Sequence, residues 1–89
     1  MHKADQLIKL IEINPKKLGG KPVIKGTRIA VEQILRLLAA GVPAEEIRQD
    51  FPQLSQEQIL AAVTYASKLM EDFHVYPREY LTQIKLQPA

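Results

Sequence analysis

Gly19-Gly20-Lys21 is the first place in this 89-residue chain where residue types suggest chemistry. Glycines that open the backbone beside a lysine are how phosphate loops end. That loop also needs a glycine separated by four residues from the Gly-Lys pair, and a Ser or Thr directly after the lysine. Pro15 and Pro22 stand at those positions, so the phosphate loop is excluded. The cations that remain, Lys16, Lys17, Lys21, Lys25 and Arg28, are candidates for phosphate contacts with a nucleic acid. Arg28 offers a fork for phosphate or carboxylate, and equally a tie to a nearby carboxylate such as Glu32. Gln56 and Gln58 could read adenine edges, since a carboxamide pairs with them in bidentate fashion. His2 and His74 are isolated and lack a partner at helical spacing, so no metal site is expected. Ser55 and Ser67 are the two serines, and neither belongs to a nucleophile–base set. We therefore expect a protein that is not an enzyme and carries no cofactor.

The elements that would position these residues follow from spacing. Residues 4–13, with Leu7, Ile8, Leu10, Ile11 and Ile13, fit a short helix or the approach to a strand, and read as a short helical or irregular start leading into an extended Ile11-Glu12-Ile13. Asn14-Pro15 and Gly19-Gly20 mark turns, and Pro22-Val23-Ile24 reads as a strand able to form a small hairpin with Ile11–Ile13. Thr27 is suited to hydrogen-bond its own turn. Val31, Ile34, Leu35, Leu37 and Leu38 predict a helix over 31–40, with Gly41 just past its end. Pro43 at a first helical position, with Glu45 and Glu46 behind it, predicts a short helix over 43–50. Ser55-Gln56-Glu57-Gln58 is a capping box that opens a third helix reaching about Asp72. Its expected buried side is Ile59, Ala62, Val63, Ala66, Leu69, Met70 and Phe73. The fold class expected is mainly α: a helix-turn-helix body of three helices, winged-helix or homeodomain-like, with a short N-terminal β-hairpin or arm. The expected division is a lead over 1–10, the domain over 11–73 and a tail over 74–89.

Charge is split along the chain. Residues 1–28 carry seven cations against two carboxylates, and residues 29–72 carry three cations against seven carboxylates. A basic arm thus precedes an acidic body, which suits polyanions at one end and basic surfaces at the other. With acidic helices, any affinity for duplex DNA must come from the arm or from a second copy. The chain has no cysteine, which excludes disulfides and fits a reducing cytoplasm. No run approaches the length of a membrane span, so no membrane partner is expected.

The run Gly20-Lys21-Pro22-Val23-Ile24-Lys25-Gly26-Thr27-Arg28-Ile29 is followed by Val31-Glu32-Gln33-Ile34-Leu35, Gly41, Glu45-Glu46-Ile47, Phe51-Pro52-Gln53-Leu54 and Ile59-Ala61-Ala62. This pattern resembles the small bacterial family catalogued as domain of unknown function 433, related to the VapB-type antitoxins. The resemblance covers roughly residues 11–73. It implies a helix-turn-helix body with a short β element, and a role as antitoxin to a PIN-like ribonuclease toxin encoded beside it. Beyond Phe73, the set Tyr76, Tyr80, Leu81, Ile84 and Leu86 is apolar and aromatic. Either it folds back over the body or it binds a partner, as antitoxin C-terminal segments do. The wide apolar face of the 31–40 helix and the unpaired arm lead us to expect a homodimer. The alternatives are a stand-alone DNA-binding regulator and a dimeric scaffold with neither activity.

Overall fold

The computed structural model describes residues 3–71. Over that span the protein is mainly helical, with four α-helices and one two-stranded antiparallel sheet. A first helix, α1 (Lys3–Ile8), turns through Lys9 and Leu10 into β1 (Ile11–Ile13). β1 pairs with β2 (Pro22–Ile24) in the register Ile11 to Ile24, Glu12 to Val23 and Ile13 to Pro22, the hairpin expected from the sequence. Its connection opens on an Asn14 turn: the Asn14 side-chain carbonyl accepts from Lys16 N–H at 2.9 Å, and its backbone carbonyl accepts from Lys17 N–H at 2.8 Å. It closes on a left-handed turn in which Leu18, Gly19 and Gly20 have φ of 47°, 66° and 86°. Two glycines make that turn cheap; Leu18 holds a conformation that L-residues seldom adopt.

Helix α2 (Val31–Ala39) ends at Gly41, whose φ is 87°. Gly41 N–H donates to the Leu38 carbonyl and Val42 N–H to the Leu37 carbonyl, both at 3.0 Å. This is a complete Schellman ending, with Val42 and Leu37 both packed on the core. Helix α3 (Ala44–Asp50) starts one residue later than expected: Pro43 is its N-cap, and its carbonyl accepts from Glu46 and Ile47. Helix α4 (Gln56–Glu71) begins at the expected capping box. Ser55 N–H donates to Gln58 Oε1 at 2.7 Å, and Gln58 N–H donates to Ser55 Oγ at 3.1 Å.

The core is one cluster of Ile24, Ile29, Val31, Ile34, Ile47, Leu54, Ile59 and Ala62, to which the sheet and helices α2, α3 and α4 all contribute. α1 packs along α4, and Lys68 of α4 lies 3.6 Å from the Asp5 carboxylate. The short helical or irregular start read from the sequence is thus a helix, α1, packed beside the three expected for the body.

The buried side of α4 differs from the expected one. Ile59, Ala61 and Ala62 are buried and Ala66 is half-buried, but Val63, Leu69 and Met70 are exposed, as is Leu60. Length explains part of this. At about 1.5 Å per residue, α4 is longer than α2 by roughly 10 Å, so α2 cannot cover its whole length. Asp72, Phe73 and the tail residues Tyr76, Tyr80, Leu81, Ile84 and Leu86 lie outside the described residues, as do His2 and His74.

Candidate functional site

The hairpin and the turn after it carry the nominated cations, and local geometry divides them into two groups. Lys17 reaches back from the connection to Glu12 on β1, Nζ to Oε1 at 3.1 Å, and also donates to the Thr27 carbonyl at 3.4 Å. Gly26 N–H donates to the same Glu12 oxygen at 3.3 Å. Thr27 closes its own turn as expected: its hydroxyl donates to the Ile24 carbonyl at 2.8 Å and accepts from Ile29 N–H at 3.0 Å. Lys21 pairs with Glu32 in the first turn of α2. The carboxylate tie offered to Arg28 is therefore made by Lys21 instead. Both carboxyls are held below the usual carboxylate range: Glu12 by the hydrogen bond from Lys17 and then that from Gly26, Glu32 by the hydrogen bond and charge of Lys21.

Lys17 and Lys21 thus serve the hairpin first. Lys16, Lys25 and Arg28 are exposed, and none has a side-chain partner among the described residues. Of the five candidate cations, these three are free to meet a phosphate. The two glutamines divide in the same way. Gln58 spends its side-chain oxygen on the capping box, so reading a base with it would uncap α4. Gln56 is exposed at the start of α4, beside Glu57. Glu45, Glu46 and Asp50 keep the neighbouring α3 acidic.

A second surface takes in Val31 and Leu35, two residues of the wide apolar face read on the 31–40 helix. A shallow, mostly apolar groove runs between α2 and α4, lined by Pro22, Val31, Leu35, Tyr65, Ala66 and Leu69, with Glu32 beside them. Leu69 is 46% exposed at its rim. Ile13 pairs with Pro22 across the hairpin, so the two side chains share a sheet face, and Ile13 is 59% exposed. Its signal lay in Leu35 and Leu69, which fit the helical periods but exceed what one small core can cover.

No group of three metal-ligating side chains occurs among the described residues, and no described helix is long and apolar enough to cross a membrane. The chain is 37% identical over 57 residues to an uncharacterized protein, y4eO, of Sinorhizobium fredii (strain NBRC 101917 / NGR234). That match takes in 64% of this chain but only 26% of the relative, so the chain spans about a quarter of that relative's length. No solved structure matches. The pattern of the family described as "Protein of unknown function (DUF433)" matches residues 11–66, from the first residue of β1 to well inside α4. The chain, with its hairpin, Thr27 turn and capped α4 inside that match, belongs to the DUF433 family.

Proposed function

We propose that the chain is an antitoxin-type regulator, a cytoplasmic protein that binds and neutralises a PIN-like ribonuclease. The observation that carries this reading is the apolar surface of α4. Leu60, Val63 and Met70 are each more than 40% exposed on one 16-residue helix and share one face of it by their spacing, and an exposed apolar patch marks a protein contact. The exposed carboxylates Glu45, Glu46, Asp50 and Glu57 support it, because a ribonuclease that holds metal ions and RNA presents a basic rim to an inhibitor. The tail, with Tyr76, Tyr80, Leu81, Ile84 and Leu86, extends the apolar set, and tyrosines suit interfaces.

The test is co-purification with the PIN-like protein encoded beside this gene, followed by an RNA cleavage assay. The chain should suppress cleavage, Val63→Ser/Met70→Ser should weaken binding at least tenfold, and truncation after His74 should leave a folded body that neutralises poorly. Absence of a PIN-like neighbour, or no effect on cleavage, overturns the reading.

A second reading is favoured by the free cations. Lys16, Lys25 and Arg28 lie on the hairpin connection and the turn before α2, in a chain in which α3 and α4 follow one another across five residues, the order of a helix-turn-helix. Here the chain binds DNA, with the cations supplying affinity and Gln56 any base contact. Salt-dependent binding to duplex DNA without any effect on a ribonuclease would favour it over the first.

A further inference from the structure

We propose that the outer edge of β1 is where a second copy of this chain docks, β1 against β1, antiparallel about a two-fold axis through Glu12. The hydrogen-bond parity of the hairpin leads there. Lys25 N–H donates to the Leu10 carbonyl at 2.8 Å, while Ile24 turns its N–H the other way, to the Ile29 carbonyl at 3.0 Å. With period two, Leu10 and Glu12 face β2, and Ile11 and Ile13 turn their N–H and C=O groups to the far side. The far side of β2 is covered by Ile29 and Ala30, through that bond and the Val23–Ala30 bridge. The far side of β1 has no partner among the described residues, since the sheet has two strands. The four backbone groups of Ile11 and Ile13 form an open edge, the kind of strand that recruits another.

The sequence of that edge is its own complement. Ile11-Glu12-Ile13 reads the same in both directions. A two-fold through Glu12 sets Ile11 opposite the partner's Ile13 twice, closing four N–H to C=O bonds with the same patch on both chains. Like charges directly opposite oppose pairing, but each Glu12 is engaged by Lys17 and Gly26 of its own chain. Three residues a side are far below the ~1,200–2,000 Å² that a stable interface buries. Ile13, 59% exposed, supplies the extension: with Pro22 on its sheet face it continues the edge into the apolar groove along Leu35 and Leu69. The second copy would cover that surface as well. This proposal does not rest on the antitoxin reading.

Two variants test it on the full chain. In Ile13→Pro the lost N–H is an outward one, so the β1–β2 ladder stays whole while the edge is blocked. Glu12→Cys introduces the single thiol of a cysteine-free chain at the two-fold, in a non-hydrogen-bonded pair whose Cα atoms stand about 4.5 Å apart, within disulfide reach. Wild type should sediment at twice 10.1 kDa at tens of micromolar. Ile13→Pro should sediment at 10.1 kDa with its helical circular dichroism kept. Glu12→Cys should form a covalent dimer on mild oxidation at least tenfold faster than Gln53→Cys on the α3–α4 connection. A wild type that stays at 10.1 kDa up to ~500 μM, far above the range of a specific contact, overturns the proposal. So does a folded Ile13→Pro dimer, or a Glu12→Cys that links no faster than Gln53→Cys; the last comparison also decides the matter if Ile13→Pro fails to fold.

Discussion

Lys17 lies five residues after Glu12, and its ammonium closes on the Glu12 carboxylate at 3.1 Å from the hairpin connection. The pair ties that connection to β1, and through the Thr27 carbonyl to the turn that leads into α2. A residue that looks in sequence like one more arm cation is thereby a clasp.

The clasp fixes a pH dependence. The Glu12 carboxyl is held below its ordinary range, chiefly by the hydrogen bond from Lys17. Its contribution to stability is therefore full above the unfolded-state value and is lost as pH falls through the lower folded-state value. Glu12→Gln should unfold at lower urea than wild type at pH 7, and the two midpoints should converge towards pH 3. Midpoints that stay equally far apart down to pH 3 would rule out an ionic role for this pair.

Among the cations, exposure and partnership predict different phenotypes. Lys16→Ala, Lys25→Ala and Arg28→Ala should leave the melting temperature unchanged. If the chain binds duplex DNA, each should lower the slope of log affinity against log salt by about one. Lys17→Ala should lower thermal stability. A salt slope that falls for Gln56→Ala but for none of the three cations would place the contact on α4.

Ser55→Ala removes the hydroxyl that accepts from Gln58 N–H, and should cost about 1 kcal/mol by urea denaturation. Gln58→Ala should cost somewhat less, because Ser55 N–H can turn to water. A null effect for both would mean that the first turn of α4 is held by Ile59 packing alone.

Gly41→Ala meets no atom within 4 Å, so its expected cost, about 1 kcal/mol, is purely conformational, from the positive φ that closes α2. Gly41→Asn should recover part of it. Ile47→Ala, by contrast, opens a hole under α3 where the side chain is fully buried, and should cost about 2–4 kcal/mol. A Gly41→Ala cost equal to that of Ile47→Ala would mean that the α2 ending is packed rather than merely bent.

What was legible in the sequence was local. The Ser55 box, Gly41 after α2, the Thr27 turn and the Ile11–Ile24 hairpin each announce themselves within a few residues, and each is found where expected. What needed the third dimension was relational. Periodicity assigned Val63, Leu69 and Met70 to a core, but it cannot tell how far a neighbouring helix extends. Arg28 and Lys21 are equally cationic in sequence, and only the hairpin's return decides which one meets Glu32. Leu18 gives no sign of a positive φ, because nothing in its side chain favours one; the two glycines after it permit the turn and draw the leucine in.

The packing of α1 against α4 has one more implication. Asp5 and Lys68 bring the first and last described helices side by side, so the two ends of the described fold adjoin. A unit with adjoining ends can be spliced into a loop of a host protein without stretching either one. Architectural portability of this kind suits a module whose match in y4eO occupies a quarter of a longer chain.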